Sequence, residues 1–120
     1  MELGANDLIR GVLPERTFAN LDAILAELAR CDIHVLLAGM AAPVFMGTAF
    51  VTRFNSVYTD LAAKHRVPLY PFFLQGVFGD RSLVLGDGLH PNARAIELVA
   101  ENILPAVRRA LRQALERRAA

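Results

Sequence analysis

The sequence contains no tryptophan and a single cysteine, Cys31. One thiol rules out an intramolecular disulfide and brings no cysteine partner for a metal site, so Cys31 is expected to be a small buried side chain. No apolar run has the length that a membrane span requires, and the opening Met1-Glu2-Leu3-Gly4 lacks the basic-then-apolar order of a secretory signal. Neither sign of charge dominates. Thirteen Lys and Arg stand against twelve Asp and Glu, a net charge of +1, which gives no global field to favour nucleic acid or a membrane surface as partner. Repeats, low-complexity tracts and an interdomain linker are also missing.

What the chain does have is apolar content, 54% of its 120 residues, ample for one buried core. The expectation is a single soluble domain over residues 1–120 with no stable membrane insertion; compartment and oligomeric state stay open. Leu3 running into Gly-Ala-Asn-Asp reads as a strand end entering a loop. Thr17 is a candidate N-cap, and Phe18, Leu21, Ile24, Leu25 and Leu28 recur at helical spacing up to about Arg30. Ile33 to Ala38 is a short, partly β-branched apolar run ended by Gly39, as expected of a strand buried on both faces. Helical spacing returns from Thr48 to about His65, followed by a second strand candidate, Val67 to Tyr70. Alternation of this kind implies parallel βαβ units.

Gly76 to Gly88 reads as a loop, after which Pro91 is expected to open a final helix at the position where proline is tolerated. Pro105 should kink or restart that helix, with Val99, Ile103, Val107, Leu111 and Leu115 on its inner side. The basic stretch from Arg108 to Arg118 reads as a solvated face near the helix's negative end, in preference to an anion or membrane contact.

Two short segments carry chemistry. In Asp87-Gly88-Leu89-His90-Pro91, a carboxylate three residues before an imidazole can fix one ring nitrogen as a donor and leave the other free as a base toward an alcohol. A helix starting just beyond it disfavours extra positive charge and helps keep the ring neutral. Alone, Asp-x-x-His equally describes a loop-capping pair. Gly4-Ala5-Asn6-Asp7 puts an amide at the carboxyl end of a strand, where open α/β folds place ligands and where it can donate to a developing oxyanion. Alone, it equally describes an Asx-type turn.

In order, these segments resemble one family. Glu2-Leu3-Gly4-Ala5-Asn6-Asp7 is similar to the third sequence block of the SGNH (GDSL) hydrolases, Leu37-Ala38-Gly39-Met40 with Pro43 to the fourth, and Asp87 through Pro91 to the fifth. The linking Val67-Pro68-Leu69-Tyr70-Pro71-Phe72-Phe73 is similar to the small bacterial branch of arylesterases, acyl-CoA thioesterases and lysophospholipases. The resemblance implies a flavodoxin-like three-layer α/β/α fold with a parallel sheet. It also implies His90 as general base, Asp87 as its orienting partner, Asn6 as an oxyanion donor, a small acyl ester or thioester as substrate, and no metal or organic cofactor. Gly4, Met40, Phe45 and Met46 are the substrate-pocket candidates.

Two departures accompany the match. The family's Gly-Asp-Ser-Leu block and its second, glycine-bearing block have no counterpart here, so the domain is expected to be a C-terminal two-thirds lacking its first strands, N-terminally truncated and inactive alone. Gly79-Asp80-Arg81-Ser82-Leu83 looks like a scrambled first block, but an arginine interrupts it and it lies in a loop, so Ser82 is not the nucleophile. After Gly39, where relatives carry arginine and asparagine, this chain has Ala41, Val44, Phe45 and Met46, an apolar lip that favours longer or aromatic acyl groups or packs against the following helix. The remaining alternative is a non-catalytic flavodoxin-like binding or regulatory remnant.

Overall fold

The computed structural model describes residues 1–119 and shows an α/β fold built on parallel strands. The chain divides into two compact units, Met1–Phe72 and Phe73–Ala120.

In the first unit, the short helix α1 (Ala5–Ile9) leads to α2 (Pro14–Arg30), β1 (Leu37–Ala38), α3 (Thr48–His65) and β2 (Leu69–Tyr70). β1 and β2 run parallel with Leu37 opposite Leu69 and Ala38 opposite Tyr70. Backbone hydrogen bonds from Leu37 N to Pro68 O at 2.9 Å and from Gly39 N to Tyr70 O at 2.8 Å close this pairing. On the other edge of β1, Glu2 forms a parallel bridge to Ala38. The parallel arrangement expected from the alternating pattern is therefore present, although the strand read over residues 33–38 shrinks to its last two. Ile33 and His34 are exposed, whereas Leu37 and Ala38 are buried. The apolar run is satisfied only where α3 and both neighbouring segments reach it.

Both long helices of this unit stop the same way. A left-handed residue, Asp32 after α2 and Arg66 after α3, turns the chain back so that Ile33 N reaches Leu28 O at 2.9 Å and Val67 N reaches Ala62 O at 3.1 Å. These bonds satisfy carbonyls that the helix end leaves orphaned. α2 starts earlier than expected: Pro14 supplies the first-turn residue with its preset φ, and Thr17 lies inside the helix, fully buried, instead of capping it. Ile24 is exposed, while Leu21 and Leu25 turn inward to meet Phe54, Val57, Tyr58 and Leu61 of α3 in the buried core. Phe50, Phe54 and Tyr58 form an aromatic ladder along α3, with successive ring centroids 5.9 Å apart. Cys31 is exposed, contrary to expectation. It terminates α2, with Sγ 3.7 Å from Glu27 Oε1, and so lies beyond the helix's buried stripe.

In the second unit, a loop containing a 3₁₀ turn (Arg81–Leu83) precedes α4 (Ala93–Ala119). Val77, Leu83, Ala95 and Val99 form its core, with Phe73, Leu74 and Leu98 packed against them. Pro91 does not open the helix; it bridges Val84 in antiparallel fashion. The helix start belongs to Asn92, whose Oδ1 accepts from Ala95 N at 3.0 Å. α4 passes through Pro105 without restarting, at the cost of the hydrogen bond a residue there would give the Glu101 carbonyl. Its buried face is Ala95, Val99 and Ala106; Ile103 and Val107 are half-buried, and Leu111 and Leu115 are exposed rather than inward.

Candidate active site

The parallel bridge between Glu2 and Ala38 sets the segment before Gly4 beside β1, so Gly4 and the Gly39–Met40 pair leave the sheet at the same, carboxyl, edge. At this edge open α/β sheets present ligand-binding loops. Gly4 takes φ 109°, a left-handed conformation open to glycine, and a Cβ there would fall 2.1 Å from Tyr58 Oη. The following residues form helix α1 where a loop was expected. The turn is closed by Leu8 N donating to Gly4 O at 2.9 Å, and buried Leu8 anchors it. Asn6 sits in this turn, exposed, its side-chain amide uncommitted among the described residues. Gly39 is needed for close approach, since a Cβ there would lie 2.3 Å from the Pro71 carbonyl oxygen.

Met40 is buried, and Ala42 N donates to Asn55 Oδ1 at 2.8 Å, which pins the loop after β1 onto α3. The loop then makes a 3₁₀ turn over Val44–Met46. Phe45 is 85% exposed and Val44 88%, while Met46 is half-buried. Phe45 is thus a solvent-facing apolar side chain, which removes the reading that it packs against the following helix.

In the second unit the Asp87–His90 pair is formed. Asp87 Oδ2 lies 2.6 Å from His90 Nδ1, and Oδ1 accepts from the backbone N–H groups of Leu89 at 2.9 Å and His90 at 3.0 Å. Gly88 at φ 69° makes the tight turn that brings these donors round, and Leu85 N closes the loop onto His90 O at 2.7 Å. The hydrogen bond from the His90 ring, then those from the His90 and Leu89 amides, hold the Asp87 carboxyl far below the usual carboxylate range. An ionised Asp87 fixes the proton of a neutral imidazole on Nδ1, leaving Nε2 as a lone-pair acceptor on a side chain that is 66% exposed. Such a ring can take a proton from an alcohol. Ser82 is tied down otherwise: its Oγ and backbone N bind Asp80 Oδ1 at 2.7 and 2.8 Å.

Several contacts around this edge are not legible in the sequence. Tyr58, Asn55 and the Thr17–Asp7 hydrogen bond, 3.0 Å long, involve polar atoms on helices whose long-range partners no local pattern reveals. Asn92 was readable, because asparagine is among the strongest N-capping residues and stands directly before Ala-Arg-Ala-Ile.

Parallel strands with glycine-bearing loops at their carboxyl edge define an α/β protein, and its second unit carries a hydrogen-bonded Asp–His pair ahead of the terminal helix. The chain belongs to the GDSL-like Lipase/Acylhydrolase family, whose sequence pattern matches residues 1–98. It is 38% identical over 109 residues to Esterase TesA of Pseudomonas aeruginosa, covering 90% of this chain and 54% of that protein. It is 34% identical over 101 residues to Thioesterase 1/protease 1/lysophospholipase L1 of Escherichia coli K12, covering 84% of this chain and 49% of the relative. The chain therefore spans about half the length of these curated relatives. Among solved structures, a crystal structure of TesA superposes with a TM-score of 0.83 at 33% identity, covering 90% of this chain and 60% of the other. Among the described residues no helix is long and apolar enough to cross a membrane.

Proposed function

We propose that this chain is the base-and-oxyanion portion of a serine hydrolase acting on small carboxylic esters or thioesters. The hydrogen-bonded Asp87–His90 pair, 2.6 Å between Oδ2 and Nδ1, carries the reading. A serine outside these 120 residues attacks the acyl carbon while His90 Nε2 takes its proton. The tetrahedral oxyanion is stabilised in part by the Asn6 amide. Collapse expels the alcohol or thiol, which receives the proton from His90. Water then attacks the acyl-enzyme, His90 accepts the water's proton, and the departing serine oxygen recovers it. No step draws on a metal or an organic cofactor.

The 120 residues contain no Gly-Asp-Ser-Leu block, so by themselves they lack the nucleophile. Loss of a serine of this kind costs on the order of a millionfold in turnover, about 8 kcal/mol of transition-state stabilisation. The apolar side chains of Val44 and Phe45 favour longer or aromatic acyl groups over acetate.

The test joins the chain in frame to the coding sequence immediately upstream and assays p-nitrophenyl esters and acyl thioesters, with and without His90→Ala. Hydrolysis that falls by at least a thousandfold in the variant supports the proposal. Activity retained in His90→Ala, or no hydrolysis from the joined protein, overturns it; the second outcome favours a non-catalytic binding or regulatory role.

A further inference from the structure

We infer that Tyr58 and Thr17 are positioning residues that set the orientation of the Asn6 amide by clamping the backbone on either side of it; the inference rests on the oxyanion role proposed for Asn6. The clamp has two anchors. Upstream, Tyr58 Oη donates to the carbonyl of Leu3 at 2.9 Å from a ring that is only 2% exposed. The same hydroxyl occupies the space beside Gly4 that a side chain would fill, so the strand end, the glycine and the phenol form one close-packed contact. Downstream, Thr17 Oγ1 donates to Asp7 Oδ2 at 3.0 Å from a fully buried position on α2. Only Gly4, Ala5 and Asn6 lie between the anchored residues, Leu3 and Asp7.

The Leu8 N to Gly4 O bond and buried Leu8 close this turn, but local contacts alone are weak for a turn this short. α1 has five residues and no side-chain cap, too few to be stable as an isolated helix. The two longer helices add a contact on each side of it, α3 through Tyr58 and α2 through Thr17. An oxyanion donor is effective only when held close to the position where charge develops, within about half an ångström. Tyr58 suits the task because it stays a donor: burial, and then the charges of Glu2 and Asp7, push its hydroxyl well above the usual phenol value. A tyrosine that merely filled the core would make the same packing contacts but would not be coupled to Asn6.

The experiment measures steady-state kinetics of the joined, serine-bearing protein described above, with Asn6→Ala, Tyr58→Phe, Thr17→Val, Thr17→Ser and the Asn6→Ala/Tyr58→Phe pair. We expect Tyr58→Phe and Thr17→Val each to lower kcat roughly ten- to a hundredfold with KM within about twofold. Thr17→Ser, which keeps the hydroxyl, restores most of the loss. In the Asn6→Ala background, Tyr58→Phe should cost less than a further twofold, because its effect passes through the amide already removed. If Tyr58→Phe does not fold, the comparison of Thr17→Val with Thr17→Ser, alone and with Asn6→Ala, decides the matter in the same way. Asn6→Ala lowering kcat while the clamp variants leave it unchanged, or lower it additively with Asn6→Ala, overturns the inference and leaves the oxyanion role standing. An unchanged kcat in Asn6→Ala overturns the oxyanion role itself, and the inference with it.

Discussion

Asp87 holds His90 at two points: Oδ2 meets the ring at Nδ1, 2.6 Å away, and Oδ1 takes the His90 backbone N–H at 3.0 Å. The second contact fixes where the residue sits, and the first fixes which way the ring faces and which nitrogen carries its proton. Asp87→Asn separates these functions. The amide oxygen can still accept from the backbone, but the NH2 then faces Nδ1 and favours the tautomer protonated on Nε2, the nitrogen that the proposed mechanism uses as a base. In the serine-bearing protein, kcat is expected to fall roughly 10³- to 10⁴-fold with little change in KM. A loss of less than tenfold would mean that the pair only closes the loop.

A second carboxylate–imidazole contact, remote in sequence, concerns stability. Asp22 on α2 binds Lys64 Nζ and His65 Nε2 of α3, each at 2.7 Å. The Lys64 hydrogen bond first, then that of His65, lowers the Asp22 pKa from its ordinary 3.8. The folded protein therefore binds this proton more weakly than the unfolded chain. The stabilisation is fully present above the ordinary carboxylate range and is lost as pH falls through the folded-state value. Urea unfolding midpoints followed between about pH 6 and 2 should decline less steeply for Asp22→Asn than for the parent over the acid limb. Parallel curves would show that the clasp does not contribute.

A single packing face and a pair of close sequence neighbours are legible in the sequence, whereas contacts made across the fold are not. The helix from Thr48 to His65 was legible because its apolar period, with Phe54, Val57, Tyr58 and Leu61 inward, records a single packing face. The Asp87–His90 pair was legible because its partners are three residues apart. Thr17 was misread as a cap because a threonine ahead of an apolar period is ambiguous. Its hydroxyl is claimed by Asp7 and its backbone by a helix that Pro14 had already begun. Cys31 was placed inside on the general habit of cysteine, although α2 ends there and no apolar stripe continues. Tyr58 gave no sign of its bond to Leu3, 55 residues away, and a lone tyrosine in an apolar helix face offers no local cue to such a partner.

A change at Phe45 tests the proposed acyl contact apart from folding. At 85% exposure on the turn after Met40, it adds little to the core. Phe45→Ala should therefore leave the unfolding free energy within about 0.5 kcal/mol of the parent. If the turn lines the acyl pocket, the variant should raise KM for octanoyl and longer esters several-fold while acetate is unaffected, since each buried methylene contributes about 0.8 kcal/mol. An acyl-length series in the parent that peaks at acetate would remove the proposed preference, whatever the variant does.

Asn92 is the residue on which the start of α4 depends: besides accepting from Ile96 N at its carbonyl, 3.0 Å away, it makes three further bonds. Its Oδ1 caps Ala95 N at 3.0 Å, its Nδ2 donates to Ser82 O at 2.8 Å, and its backbone N reaches Leu83 O at 2.9 Å. Asn92→Ala removes the first two and keeps the third. The cap alone is worth about 1 kcal/mol, and the Ser82 carbonyl loses a partner on an exposed loop where water replaces it at small cost. The expected loss is thus about 1–2 kcal/mol, seen as a lower urea midpoint with an unchanged slope. Asn92→Asp keeps the acceptor at the positive end of the helix and should recover most of it, because a carboxylate is favoured there even without the amide donor. If Asn92→Asp is as unstable as Asn92→Ala, the bond to Ser82 rather than the cap is what holds α4 to its loop.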